Sequence, residues 1–334
     1  MKVAEIRGAL KKYDQNTLIE LFVNAYKVVP KAKREELLDA MIADYQGTLE
    51  KKKASGNGDT IVDFGALERE INEFIDDAYS QNYFAPNRKI SKAKRPKWRF
   101  MVKDYYKQLI KIKADVPYYE SSVKLLCNLY EMLCYGCNYY IFSTDDPFRS
   151  IGILQQEFYR IVAERTFAAG YSPEKVKKMI LLAVSDRLSR DALNMYMYSE
   201  LIQLLKTADL KYMAIEEGKL LISEEDAKYQ EGQSRKKKRY SNNYNDYAYT
   251  RKHNEITQFI MYIYVELGEV MEGVSFFYKM LKESNKEITM YILLGIVGEV
   301  EDDKIWKQVY EDGIRRRIKP RESLREEYEE LQTE

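Results

Sequence analysis

The sequence predicts an all-α protein, with antiparallel helix pairs in an α-solenoid-like or multi-helical array. Residues 98–222 form the longest regular stretch, in which apolar side chains recur at the three- and four-residue spacing of one helix face. Glycine and proline are scarce, at 15 and 7 of 334 residues, and no proline occurs between Pro173 and Pro320. Because all-β and parallel α/β chains need more turn residues than this, the scarcity also favours helices.

The N-terminal third divides into four predicted parts. Residues 1–53 form a helical segment, and residues 54–60, rich in Gly, Ser and Asn, form a linker. A connecting helix within residues 61–81 runs from about Phe64 to Tyr79, striped by apolar residues at helical spacing. Residues 82–97 are irregular and strongly basic, and are predicted to be a loop.

Residues 98–234 are predicted to form a central helical domain with short joints, which place successive helices antiparallel. Two of its helix starts carry an N-cap side chain followed by proline at the first helical position: Asp145 or Asp146 with Pro147, and Ser172 with Pro173.

The C-terminal third contains three predicted parts. Residues 235–249 combine a run of five basic residues with a Tyr- and Asn-rich segment, and the absence of helical periodicity predicts a mobile loop. Residues 250–318 are predicted to form helix pairs. Residues 319–334 are predicted to be a charged tail that forms a solvated or frayed helix, because they contain little that could be buried.

Residues 254–314 carry a repeated pattern. Leu267-Gly268-Glu269-Val270 is followed by Gly273 and an aromatic residue, and Val297-Gly298-Glu299-Val300 echoes the first motif 30 residues later. This part resembles tetratricopeptide-type helix pairs, in which Gly268 would be the turn glycine and Gly273 the small contact residue. The resemblance implies an α-solenoid whose concave face binds peptides or partner helices. The whole chain also resembles bacterial all-helical proteins of unassigned function.

Global composition excludes few partners. The 54 Lys and Arg residues balance 53 Asp and Glu residues, so net charge points neither to nucleic acid nor to an acidic surface. The N-terminus has no apolar signal segment, and the longest apolar runs fall short of the roughly 20 residues that span a membrane. We therefore expect a cytoplasmic protein without a membrane partner.

No residue pattern marks a catalytic, cofactor or metal site. Cys134 and Cys137 form a C-x-x-C motif with Cys127 nearby, but a zinc site usually takes four ligands, so we interpret the cysteines as packing residues. The single histidine, His253, is expected on the surface. Paired acids such as Asp145 and Asp146 are interpreted as helix caps. These readings predict neither an enzyme nor a bound metal or cofactor.

Two basic segments with neighbouring aromatic residues carry the alternative prediction of nucleic-acid binding, with cations for phosphate and rings for stacking. The competing interpretation is that they are solvated loops. The candidate residues are Arg88, Lys92, Arg95, Trp98, Arg99, Arg235, Lys236, Lys237, Lys238, Arg239 and Tyr244.

The leading prediction of function is a non-catalytic, protein- or peptide-binding helical scaffold that uses residues 254–314. Nucleic-acid binding through segments 88–100 and 235–249 is the alternative. An enzyme would require a deep pocket holding two acids with raised pKa values, which the sequence does not mark.

Overall fold

The fold was analysed in a computed structural model that describes residues 13–29, 63–235, 243–299 and 302–333. All regular secondary structure in these ranges is helical, which confirms the predicted all-α class. The chain divides into two compact units, Met1–Asp63 and Phe64–Glu334.

In the first unit, the described structure is one helix, α1 (Gln15–Val28). Asp14 caps it, since one carboxylate oxygen accepts from the backbone N–H of Thr17 at 3.0 Å and the other from its hydroxyl at 2.7 Å. The predicted linker, residues 54–60, lies outside the described residues.

The second unit begins with the connecting helix, at the predicted bounds. A 3₁₀ turn, Arg95–Lys97, precedes α3. The first helices of this unit are α2 (Phe64–Tyr79), α3 (Trp98–Leu109), α4 (Tyr119–Asn138), α5 (Pro147–Ile151) and α6 (Gln155–Ala168).

The remaining helices of the second unit continue to the end of the described chain. They are α7 (Pro173–Ala183), α8 (Asn194–Leu204), α9 (Ala208–Arg235), α10 (Asn243–Glu266), α11 (Val270–Met280), α12 (Lys286–Gly298), α13 (Asp303–Arg315) and α14 (Glu322–Thr333).

Alternate helices of the C-terminal half pack side by side. α10 contacts both α8 and α12, while α9 and α11 also pack against α10, and α11 contacts α12 and α13. The interior contains several fully buried aromatic side chains, among them Tyr130, Tyr159, Tyr198 and Phe277. Large amphipathic rings therefore supply much of the apolar surface that holds the helices together.

The prediction of a mobile loop at residues 235–249 is wrong for its described ends, because Arg235 belongs to α9 and residues 243–249 belong to α10. The Tyr249 ring stacks on Tyr229 with centroids 4.0 Å apart, and its hydroxyl donates to Asp226 at 2.5 Å. These contacts between α9 and α10 stabilise helix in a segment whose polar sequence does not predict it. Residues 236–242 lie outside the described part of the chain.

The predicted charged tail, residues 319–334, contains a packed helix. Leu324 of α14 is buried in the C-terminal core, and Tyr328 stacks on Tyr310 with centroids 4.3 Å apart. The interpretation that this segment has little to bury is wrong, because Leu324, Tyr328 and Leu331 lie among many charged residues and give α14 an apolar face against the core.

The junction between α10 and α11 depends on two glycines. Gly268 has φ +76° and ends α10 in a Schellman motif. The Gly268 N–H donates to the carbonyl of Val265, and the Glu269 N–H donates to the carbonyl of Tyr264. A Cβ on Gly273 would lie 2.7 Å from Tyr264 Cβ, so this glycine allows the two helices to approach closely. Whether the pair belongs to the tetratricopeptide family stays a prediction.

Candidate functional site

The first predicted nucleic-acid segment, residues 88–100, lies partly on the surface. Arg88, Lys92 and Arg99 are exposed, whereas the half-buried Arg95 donates its Nε–H to the carbonyl of Ile90 at 3.1 Å.

Trp98 does not belong to that exposed set. Its side chain is 5% exposed and stacks on Phe142 with centroids 3.9 Å apart and planes 12° apart. The interpretation of Trp98 as a stacking surface for a base is therefore wrong, because the ring is already covered on one face and buried in the core.

The second predicted segment is only partly described. Arg235 is the last residue of α9 and Tyr244 lies in the first turn of α10. Lys236, Lys237, Lys238 and Arg239 lie outside the described residues. The proposed role of this segment stays a prediction.

The cysteines of the C-x-x-C motif lie on α4. Cys127 and Cys134 are buried, as expected for packing residues, and Cys137 is half-buried. Burial raises the pKa of all three thiols, that of Cys137 to about 12. The reactive thiolate is therefore strongly disfavoured at each position.

His253 was expected on the surface, but its side chain is only 1% exposed. Its Nε2 lies 3.6 Å from an Asp226 carboxylate oxygen, and its Nδ1 has no hydrogen-bond partner among the described residues. Burial first, and then the positive charge of Lys282, lower its pKa from 6.5 to about 4, although Asp226 acts in the opposite direction. The imidazole is therefore neutral near pH 7.

The described residues contain neither a metal-binding cluster nor a membrane-spanning helix. No group of three or more His, Cys, Asp or Glu side chains could hold a metal ion there. In the same ranges, no helix has the length and apolar character needed to cross a membrane.

A cleft of about 250 Å³ opens between the end of α7 and the first half of α10, and we call it the basic cleft. Arg187, Arg251 and Lys252 supply its positive charge, and Ser185 and Asp186 complete its polar lining. Sequence analysis missed it because its two arginines are separated by 64 residues and belong to no basic run.

The loop that carries Ser185 and Arg187 is held by three buried polar side chains. Gln155 accepts from the Ser189 N–H at 2.7 Å and donates to the Arg187 carbonyl at 3.1 Å. Asn194 donates to the Ser185 carbonyl at 2.8 Å.

The third side chain is Asp146, which caps α5 by accepting from the Arg149 N–H at 3.0 Å. It also accepts from the Ser189 hydroxyl at 2.8 Å and from the Arg190 N–H at 3.1 Å. The sequence left open whether Asp145 or Asp146 is the cap. The structure assigns the role to Asp146, whereas Asp145 pairs with Arg190 on the surface.

Next to the basic cleft lies a group of surface rings, which we call the aromatic patch. Tyr135 and Tyr139 stack with centroids 4.4 Å apart, and the edge of Tyr79 meets Tyr135 at 5.2 Å. Phe84 and Tyr140 form a second stacked pair at 5.5 Å. Apart from the half-buried Tyr135, these side chains are between 40% and 60% exposed.

A second cleft, also of about 250 Å³, crosses α8, α10 and α12, and we call it the α8–α10–α12 groove. Its apolar lining comes from all three helices, and its rim carries two carboxylates and a tyrosine. The apolar residues are Met195, Ile202, Val265 and Ile296, and the rim residues are Tyr262, Glu266 and Glu299.

Comparison of the chain with protein-family models, with curated proteins and with solved structures found no match. The class of protein that the fold defines is therefore an all-α array of packed helices, and any function has to be argued from its own surfaces.

Proposed function

We propose that the protein is a non-catalytic scaffold that binds a peptide or a helix of a partner protein in the α8–α10–α12 groove. The observation that carries the proposal is the combination of an apolar floor with a polar rim. Recognition grooves for amphipathic helices have this composition, since apolar residues of the ligand enter the groove while its polar side faces water. Three different helices contribute to the floor.

The rim indicates the chemistry of the partner. Glu266 and Glu299 are both exposed, and no basic residue lines the groove itself. Glu266 is paired with Lys211 at 2.9 Å, whereas Glu299 accepts from the neutral Tyr262 hydroxyl at 3.0 Å, so Glu299 is the rim carboxylate whose charge is open to a partner. The partner segment would therefore be amphipathic, with Lys or Arg flanking its apolar residues.

The cytoplasm is the proposed location. The three cysteines are free thiols in the described structure, which is typical of proteins from reducing compartments.

A peptide-display selection tests this proposal. We expect the wild-type protein to enrich peptides that combine apolar residues at helical spacing with flanking Lys or Arg. Val265→Arg should weaken binding of a selected peptide about tenfold or more, because it places bulk and like charge at the centre of the groove. The measurement is fluorescence anisotropy with the labelled peptide.

Leu220→Arg is the matched control, because Leu220 is an exposed apolar residue on α9 outside the groove. It should leave peptide affinity unchanged. Selected peptides that bind Val265→Arg as tightly as wild type, or that are rich in Asp and Glu, would contradict the proposed groove.

Nucleic-acid binding through segments 88–100 and 235–249 is the alternative function. In its favour, Arg88, Lys92 and Arg99 are exposed.

A further inference from the structure

We infer that the basic cleft and the aromatic patch together form a binding surface for single-stranded nucleic acid. The first step is the state of the two arginines. Among the described residues, no carboxylate oxygen lies within 4 Å of the guanidinium of Arg187 or Arg251. Guanidinium groups that line a cleft without a direct ion pair favour an anionic ligand, and their planar donors match phosphate oxygens.

Acids around the cleft offset part of this positive charge, and the charge of Arg251 acts on Glu255. Asp186 is exposed at its edge. Glu225 is engaged by Lys252 and Lys228, each at 3.0 Å, and Glu255 accepts a hydrogen bond from the Tyr198 hydroxyl. Lys252 is therefore largely neutralised, and the two guanidiniums provide the phosphate contacts.

The second step is the rigidity of the loop. Asp146, Gln155 and Asn194 are all less than 10% exposed, and burying polar groups is unfavourable unless they are hydrogen-bonded. Each of them makes at least one hydrogen bond to the loop that presents Ser185 and Arg187. A loop fixed in this way presents Arg187 in one place, which lowers the conformational entropy lost when a ligand binds.

The third step is the connection between cleft and patch. The Arg187 guanidinium lies over the Tyr135 ring, 5.1 Å from its centroid, while the same residue lines the cleft. A phosphate held in the cleft is therefore next to a set of rings on which bases can stack. Stacking needs unpaired bases with exposed faces, so the surface fits a single strand rather than a duplex.

Fluorescence anisotropy with a labelled oligouridylate, and with an oligothymidylate of the same length, tests the inference over a range of salt concentrations. The double variant Arg187→Gln, Arg251→Gln should bind at least tenfold more weakly than wild type. Its plot of log affinity against log salt should be flatter, by about 0.7 for each phosphate contact removed. A preference for one of the two oligomers identifies RNA or DNA as the ligand.

Tyr139→Ala tests the stacking contribution separately. This variant should lose affinity about tenfold while its salt dependence stays that of wild type, because a ring rather than a charge is removed. Its affinity for heparin, which has charge but no bases, should be unchanged. The double arginine variant should lose heparin affinity as well.

Matched controls come from α12 and α14. Arg325→Gln removes an exposed guanidinium and Tyr291→Ala removes an exposed ring, and neither should change oligonucleotide affinity. Thermal melting of every variant shows whether it is folded.

Several results would overturn the inference. One is equal binding by wild type and the folded double arginine variant, and another is no binding by wild type at low salt. Competition by uridine monophosphate as effective as competition by the oligomer would indicate a mononucleotide site. Loss of binding only when Lys236, Lys237 and Lys238 are replaced by Glu would move the interface to the connecting segment. None of these results bears on the peptide groove, which uses other residues.

Discussion

At the residue scale, three buried polar side chains are unusual in this protein. Asp146, Gln155 and His253 belong to residue types that usually keep contact with water, yet each is almost completely buried. The first two satisfy their hydrogen-bonding groups on the loop beside the basic cleft. His253 differs, because one of its ring nitrogens has no partner among the described residues.

His253 makes the stability of the protein depend on pH. Its pKa is about 4 in the folded protein, against 6.5 without burial, so the unfolded chain binds the proton more tightly. The stabilisation is therefore complete above pH 6.5 and is lost as the pH falls toward 4. We expect a loss on the order of 3 kcal/mol in the free energy of unfolding over this range. Urea denaturation at a series of pH values measures it.

The matched control is His253→Phe, which cannot take up the proton and should show a flatter pH dependence between pH 6.5 and 4. As the chain has one histidine, its imidazole proton resonance can also be followed directly by NMR. A resonance that titrates near pH 6.5 in the folded protein would contradict the burial of this side chain.

At the scale of helices, the junctions explain where each element ends. The segment predicted as one helix after Pro147 is two helices, because Gly152 has φ +62° and interrupts it between α5 and α6. By contrast, α9 continues through Ser223, although a serine followed by Glu224 and Glu225 has the composition of a helix N-terminus. Capping residues permit a helix to begin, but neighbouring helices decide whether it does.

Three glycines should respond differently to replacement by alanine. Gly268→Ala should cost about 1–2 kcal/mol, because a side chain is strained at φ +76° although no atom lies within 4 Å. Gly273→Ala should cost about 1–3 kcal/mol through overpacking against Tyr264 and Met261. Gly295→Ala should stabilise by about 0.5–1 kcal/mol, because this exposed helical glycine has open space around it. Urea denaturation measures all three.

Replacement by asparagine distinguishes backbone strain at Gly268 from overpacking at Gly273. Gly268→Asn should restore part of the loss, since asparagine tolerates left-handed backbone, whereas Gly273→Asn should be at least as destabilising as alanine. Equal stability of Gly268→Ala and Gly295→Ala would contradict the Schellman geometry. The loss at Gly268 would come from the left-handed backbone and not from a steric clash, because the space around that position is open.

At the scale of the whole molecule, every described buried apolar residue of the core lies between Phe64 and Leu324, within the second unit. That unit carries both proposed binding surfaces. The two surfaces share α10 but use different residues of it, so a variant of one surface should not affect binding at the other. Val265→Arg should leave oligonucleotide affinity unchanged. The double arginine variant should leave peptide affinity unchanged.

The second unit should fold without the first. We expect a chain of residues 63–334 to unfold cooperatively by circular dichroism, with a midpoint in urea close to that of the full chain, because its core is contained within it. The full chain measured in parallel is the control. Non-cooperative unfolding or aggregation of the shorter chain would show that the first unit is required for the second to fold.

The sequence by itself determined the features that depend on neighbours along the chain. Apolar spacing fixed the all-α class and the bounds of α2, Ser172 and Pro173 marked the start of α7, and a glycine marked the end of α10. Such signals are readable because helical periodicity, capping and left-handed backbone act within a few residues.

Only the tertiary structure decided which faces meet. It buried Trp98 and His253, converted residues 243–249 into helix, and brought Arg187 next to Arg251 from 64 residues away. The physical reason is that burial and charge clustering depend on how whole helices pack. The apolar face of one helix can pack against the apolar faces of several others at similar free energy, so the sequence does not say which helices meet. The proposed binding surfaces are formed by that packing, so no local sequence motif predicts them.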